Sequence, residues 1–525
     1  MTDSKTYTDC STEKGKAFLM QKLSGDAEKY NSFDTSSTSN GFEATNTALI
    51  QHQTNTKPKI DRDALIHCVE TKQGTSEFLL IESKAAEILK ESLTGFLSHD
   101  IKSQTWHEFV GSHWQPLETP QQADEVLIDL IYKGAGKLGF RAAYKNGIRS
   151  LLIDGAMLPL PKVDHAKLPF KNGLLDLTTR KLESISPENA QTWCLPYEYK
   201  LDGDCSAIKS WMKLAVDEDM ETVQFLRAWM AAVLHGRNDL QKFLHLKGSG
   251  GTGKGTFMRL LTALIGQTNT AITSLDQLEQ NRFETATLYN KRLAVISDSD
   301  KYGGSINNLK AITGQDHIRL ERKHQQQAGS FIFHGLVVMA SNESLQLTDH
   351  TSGLDRRRIT VIFNRRATNE EKQAWKNQGG EEAVLHSELP GLVNWLLELS
   401  HDEITQIINN PPDRIRNADL DAMQATNPVA DWLSECTVYD PEAWTQIGDK
   451  REIREPGYET TYQNVSTWLY ANYLQWCLRS HKTPLAIRRF REILIQTCET
   501  LNMDVHEARR GSGRGICGLR IKNRD

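Results

Sequence analysis

Phe243-Leu244-His245-Leu246-Lys247-Gly248-Ser249-Gly250-Gly251-Thr252-Gly253-Lys254-Gly255-Thr256 is the stretch on which the fold turns. Residues 243–246 read as a buried strand, and Phe257-Met258-Arg259-Leu260-Leu261 as the start of a helix. Strand, glycine loop and helix form the context in which a phosphate-gripping loop works. Glycines let backbone N–H groups turn inward toward phosphate oxygens. The helix N-terminus adds the positive end of its dipole. Lys254 supplies a point charge for the β- and γ-phosphates, so Gly248 to Thr256 are candidate ATP-binding residues. Gly255 stands where Ser or Thr is usual, which passes the Mg²⁺-binding hydroxyl to Thr256. ATP and Mg²⁺ are the implied cofactors.

Downstream, Lys291-Arg292-Leu293-Ala294-Val295-Ile296-Ser297-Asp298-Ser299-Asp300 is an apolar strand ending in carboxylates. One carboxylate at such a tip holds the metal shell and another orients the attacking water. Asp298 takes the metal role and Asp300 the water role. Leu336 to Ala340 reads as a further strand, and Asn342 follows it where it can reach a γ-phosphate. Asp355-Arg356-Arg357-Arg358 precedes another strand, and Arg357 or Arg356 could neutralise charge on a neighbouring subunit's γ-phosphate. Between the acidic strand and Asn342, Ile318, Arg319 and Leu320 alternate as in a hairpin whose tip is Arg322-Lys323-His324. Such a basic tip suits a single-strand phosphate backbone. Strands alternating with helices over 241–366 indicate an α/β core.

Residues 1–58 are rich in Ser, Thr, Asn, Asp and Lys and read as a disordered N-terminal segment. Residues 59–206 read as a small α+β domain. It has a helix through Ala85 to Leu93, strand-like pieces around Trp106, Trp114 and Leu151-Leu152-Ile153, and an Asn172-Gly173 hairpin signal. Residues 207–400 read as the motor with its helical segments, and 401–460 as a helical connection broken by Pro411-Pro412. Residues 461–525 read as a winged helix: helices over Val465 to Leu478 and Ile487 to Leu501, a Gly/Arg turn, and a strand over Ile516 to Ile521. From His481 to Asp525 there are ten Lys/Arg against five Asp/Glu, in a chain whose net charge is −5. Arg488, Arg489 and Arg491 fall on the second helix, and Arg509, Arg510 and Arg514 on the wing. That pattern is an electrostatic footprint for duplex DNA.

A chain of 525 residues is too long for a single core, and 38% hydrophobic with 25% charged residues is ordinary for a water-exposed protein. The net charge gives no global attraction to nucleic acid or anionic lipid, so DNA contact must be local. The eight cysteines show no C-x-x-C spacing, which argues against a zinc finger or a disulfide framework and for a reducing compartment. The longest apolar run, about Phe331 to Ala340, is too short for a bilayer, and no signal-peptide pattern opens the chain. A cytoplasmic location, or the host-cell interior for a phage- or plasmid-encoded protein, is expected, with no membrane partner.

Taken together the motifs resemble a superfamily 3 helicase of the AAA+ class. More narrowly they resemble the C-terminal helicase half of phage/plasmid and poxvirus-type primase-helicases. Lys171 to Leu177, Gly248 to Phe257, Asn281-Arg282-Phe283, Leu309 to Asp316, Ala340-Ser341-Asn342, Arg357-Arg358-Ile359 and Leu389 to Trp395 carry the resemblance, across about 165–400. It implies an α/β AAA+ P-loop motor domain, preceded by a helicase-associated α+β domain and followed by a winged-helix domain. It implies a homo-oligomeric ring, a hexamer, with ATP between subunits and Lys323 and His324 lining a channel around single-stranded DNA. The function so implied is ATP-dependent DNA unwinding or replication initiation for a phage, plasmid or satellite. Full-length relatives carry a primase domain; only about 160 residues precede the match here, so priming is expected either from a separate primase partner or not at all. Gly255, Asp298 and Asp300 depart from the usual Ser and Glu. A DNA loader or scaffold without processive unwinding is the alternative, and a small-molecule kinase a third reading.

Overall fold

The computed structural model describes residues 57–71, 78–136, 140–297, 302, 304–321, 329–343, 352–454, 460–501 and 503–522. Nearly all of the segment expected to be disordered, 1–58, lies outside them, as do Asp298, Asp300, Arg322, Lys323 and His324.

Five parallel strands form the central sheet: β1 (Phe243–Lys247), β2 (Thr270–Ser274), β3 (Leu293–Ser297), β4 (Leu336–Ser341) and β5 (Arg358–Ile362). Their order is β2-β3-β4-β1-β5. Strands covered on both faces read as continuous apolar runs, and Leu-Val-Val-Met-Ala-Ser of β4 is buried throughout. In register, Val338 lies opposite Leu244 and Ile359 opposite Leu244 on the other side. β4 therefore separates the loop-bearing β1 from the acid-bearing β3. At ~4.8 Å per strand, the tip of β3 stands roughly 10 Å from the tip of β1, and the tip of β4 half that.

One sheet face is covered by α1 (Ser206–Ala215), α2 (Met220–His235) and α3 (Lys254–Ile265). Asp219 caps α2 by accepting from the backbone N–H groups of Glu221 and Thr222, and Gly236 ends it in the left-handed conformation at φ 71°. α2 is apolar nearly all round because it is buried nearly all round, within one core that includes Leu244, Leu261 and Leu392. Leu275, Leu309 and Ile312 pack on Ala294, Ile296 and Val337 in a second core.

Leu168, Phe170, Leu175, Trp193 and Leu195 share the motor's core, so packing crosses the boundary expected at 206. The hairpin expected at Asn172-Gly173 joins Lys167–Phe170 to Gly173–Asp176. Asn172 also pins a distant segment: its Nδ2 donates to the Tyr199 carbonyl at 3.0 Å and its Oδ1 accepts from the Tyr199 N–H at 2.9 Å. The preceding region packs helices Glu82–Leu93, Pro120–Ala135 and Ala142–Asp154 around its own core. Leu151-Leu152-Ile153 is therefore not strand but the end of a helix. Ile148 and Leu152, four apart, face the core while Leu151 is exposed, a helical period too short to see in three residues.

The span 401–460, read as a connection, is divided between two structures. After Pro411-Pro412, α4 (Asp413–Thr426) lies on the outer edge of the sheet, where Asp419 Oδ1 accepts from the Thr360 N–H at 2.6 Å. A helix there covers backbone groups that an open edge would expose. The rest belongs to the C-terminal unit: α5 (Pro428–Cys436), β6 (Thr437–Gln446), α6 (Leu469–Arg479), α7 (Ile487–Thr500), β7 (His506–Arg510) and β8 (Gly513–Ile521). Its antiparallel sheet runs β6-β8-β7. Trp432, Tyr473, Phe490, Leu494 and Ile516 form its core, with Phe490 stacked 4.6 Å from Tyr473. The unit thus begins near 428, about thirty residues before the expected 461. The polar, irregular stretch between β6 and α6 hid the join.

Candidate functional site

The loop Gly248 to Gly253 leaves the end of β1 and enters α3 at Lys254. Gly251 and Gly253 have φ of 78° and 95°, which only glycine adopts without strain. At Gly248 a Cβ would meet the Phe363 carbonyl oxygen at 2.0 Å. Thr252 Oγ1 donates to the Ser249 carbonyl at 2.8 Å and braces the loop.

Lys254 is buried, and its ammonium donates to the carbonyls of Gly248 and Ser249, the latter at 3.0 Å. It also donates to Asn342 Oδ1 at 3.3 Å. The strand-tip Asn and the loop Lys, expected from separate motifs, are thus brought together. Behind Asn342, His245 Nε2 lies 2.6 Å from Ser341 Oγ, whose proton is committed to the Glu343 carbonyl at 2.6 Å. With that proton committed, Nε2 is the donor toward Ser341. A buried imidazole in β1 thereby fixes the turn that presents Asn342.

A cavity of about 550 Å³ adjoins the loop, within the range of small-molecule sites. Gly251 to Thr256 form one end of it. Trp211, Leu214, Ala215, Ala367 and Trp375 form an apolar wall. Thr256, the expected metal hydroxyl, donates to Glu381 Oε2 at 2.9 Å, and Trp211 Nε1 donates to Glu381 Oε1 at 2.7 Å. Arg259 pairs with Glu382 at 2.5 Å and Arg365 with Glu371 at 2.5 Å. Arg366, just past β5, donates to Ser249 Oγ at 3.4 Å. Trp211, Trp375, Arg365, Arg366 and Glu381 escape sequence reading because they carry no local motif and lie up to about 130 residues from the loop. The helical period of Trp211 and Leu214 is a signal for burial alone.

The glycine cradle, the buried Lys254 and a cavity of this size fit a nucleoside triphosphate. For Mg²⁺ the described residues offer the Thr256 hydroxyl, shared with Glu381, while Gly255 offers none. Asp298 and Asp300 lie just beyond Ser297, the last described residue of β3. Among the described residues there is no group of three or more His, Cys, Asp or Glu that could hold a metal by themselves.

Arg356, Arg357 and Arg358 sit at the opposite end of the sheet from the loop. Arg358 pairs with Phe243 in register, and Ile362 with Lys247. Four residues of strand separate those ends by about 13 Å, so these arginines do not serve their own loop. Arg358 is buried and ion-paired with Asp355 at 2.8 Å. Arg357 is half-buried, donates to the Gly353 carbonyl at 2.9 Å, and is pulled below its ordinary pKa by burial and by Arg356. Arg356 is exposed.

On the C-terminal unit, Arg488 and Arg489 are exposed on the first turn of α7, each near Glu492 at 3.4 and 3.3 Å. Arg510 lies over the Trp444 ring at 5.2 Å, and Arg514 is exposed on β8. No helix among the described residues is long and apolar enough to cross a membrane.

Residues 86–216 match the family described as D5 N terminal like, and residues 246–358 match a family of unknown function, DUF5906. Among solved structures, two described as the C-terminal region of NrS-1 are similar at 14% and 12% identity, both with a TM-score of 0.44. Each match covers 81% of this chain and 96% of that one. Two uncharacterized mitochondrial proteins of Marchantia polymorpha are also similar. Over 131 residues ymf21 is 28% identical, covering 23% of this chain and 73% of ymf21. Over 120 residues ymf20 is 30% identical, covering 23% of this chain and 71% of ymf20. By that extent of shared sequence, the chain belongs to the family of ymf20.

Proposed function

We propose that this chain is an ATP-driven DNA motor of the superfamily 3 type, acting in replication as a ring of identical subunits. The observation that supports it most is the arrangement on one sheet. The glycine loop and Asn342 share one end, and an exposed Arg356 occupies the other. In a head-to-tail ring the second end of one subunit faces the first end of the next. Arg356 or Arg357 then completes a neighbour's site, neutralising charge that develops on the γ-phosphate.

Within a subunit, loop amides and Lys254 grip the phosphates, and Asn342 reads the γ-phosphate or the attacking water. Thr256 and Asp298 are the residues that would hold Mg²⁺, which supplies charge neutralisation at the phosphates when bound. Asp300 orients water. Arg322, Lys323 and His324 would grip single-stranded DNA in the channel. The order helix, strand, helix, helix, strand, strand, with sheet order β6-β8-β7, supports the winged-helix reading of the C-terminal unit. Arg488, Arg489, Arg510 and Arg514 would meet duplex there.

The test is ATPase and strand displacement on forked DNA. Lys254→Ala is expected to abolish both with an unchanged melting temperature. DNA-stimulated ATPase at the wild-type rate in that variant would remove the assignment. DNA-dependent ATPase without strand displacement would favour a loader.

A further inference from the structure

We propose that the C-terminal unit seats one phosphodiester of a nucleic-acid strand in an open cavity beside its sheet, apart from the exposed arginines of α7. This rests on the DNA-binding reading of that unit and deepens it. The cavity, about 250 Å³, lies between the loop after β6, Trp468 just before α6, the start of α7, and β8. Arg451, Arg491 and Arg514 reach it from three separate segments.

The three guanidiniums differ in how they are held. Arg491 is fixed by two bonds to the Glu507 carboxylate, at 2.7 and 2.8 Å. Arg451 lies on the Trp468 ring at 4.9 Å. That indole is itself clamped, since Gly448 sits so close that a Cβ there would lie 2.4 Å from it. Arg514 comes from β8 beside the tight hairpin turn. Neither Arg451 nor Arg514 has a carboxylate partner among the described residues. A cavity where one guanidinium is ion-paired and two more arrive without a carboxylate partner suits an anion.

Charge sets the kind of anion. Three guanidiniums against Asp449 on the rim and Glu507 behind Arg491 leave one net positive charge. That matches a phosphodiester and falls short of a free nucleotide's polyphosphate. Ile487, the first residue of α7, lies on the wall, and Ala486 gives that helix no side-chain cap. The first-turn amides add their partial positive charge to the arginines. The exposed Arg488 and Arg489 continue the basic surface outward from the same turn, which gives a strand a path away from the cavity.

The experiment is fluorescence anisotropy of the full chain with labelled forked DNA over a range of salt. Arg451→Ala/Arg514→Ala is compared with Arg488→Ala/Arg489→Ala, each first shown to melt as wild type. Loss of the pocket arginines is expected to weaken binding at least about tenfold and to lower the salt slope by about one. The weakening should be equal across unrelated sequences, with partial rescue by Arg451→Lys/Arg514→Lys. Unchanged affinity and slope in the pocket variant, with weakened binding in the α7 variant, overturns the pocket and leaves the DNA reading intact. Displacement of DNA by a poly-glutamate peptide from wild type but not from the pocket variant, with equal DNA affinities, also overturns it. Absence of DNA binding by the wild type removes the DNA reading itself.

Discussion

The carboxamide oxygen of Asn342 stands 3.3 Å from the ammonium of Lys254, across 88 residues of chain. β4 makes this possible by lying directly beside β1. A polar side chain at the tip of the adjacent strand reaches Lys254, whereas the tip of β3 stands one strand further away. Asn342→Ala is therefore expected to retain nucleotide binding while kcat falls by about 10²-fold, the scale of a lost transition-state hydrogen bond. Equilibrium binding of a fluorescent nucleotide beside steady-state ATPase separates the two. Equal losses in both would make Asn342 a binding residue.

His245 positions that Asn through Ser341. His245→Leu keeps the buried volume but removes the donor. It is expected to lower kcat several-fold, with the same retention of nucleotide binding as Asn342→Ala. If combining the two variants multiplied their effects in full, the coupling would be absent.

The three consecutive arginines are expected to separate cleanly. Arg358→Ala removes the buried ion-pair partner of the Asp355 carboxylate and should destabilise the fold by about 3 kcal/mol or more in denaturant melts. Arg356→Ala touches nothing buried and should leave stability within about 0.5 kcal/mol while lowering ATPase.

Asp419 gives a pH signature. Burial pushes its carboxyl up to about 7, against the Thr360 N–H, Arg358 and Lys242, which favour the charged form. A pKa raised in the folded state stabilises below the unfolded value near 3.9 and ceases to as pH rises through about 7. Relative to Asp419→Asn, the wild type should lose stability between about pH 4 and 7 and stay level above. A constant difference across that window, in matched urea melts, would contradict it.

The loop was readable from sequence because its motif is contiguous: nine residues running from the end of a strand into the first turn of a helix. The arrangement of the arginines was not, since Arg356 lies in the turn before β5 while Arg358 opens the strand and is buried against Asp355. The apolar wall of Trp211 and Trp375 was hidden for a related reason, as burial in a pocket and burial in a core share one helical period. Leu151-Leu152-Ile153 misled because three apolar residues fit either period. The C-terminal unit showed its basic half, 481–525, while α5 and β6 were cut off from it by the polar, irregular stretch between β6 and α6.

The central claim is that each ATP site is shared between subunits. The most direct measurement is ATPase of a one-to-one mixture of Lys254→Ala and Arg356→Ala/Arg357→Ala chains, with mixing verified by co-purification of two tags. Each variant alone is expected to be inactive. In the mixture, a site with an intact loop from one chain and intact arginines from the other should form about one time in four, restoring roughly a quarter of wild-type activity. A mixed ring with no activity would contradict the account.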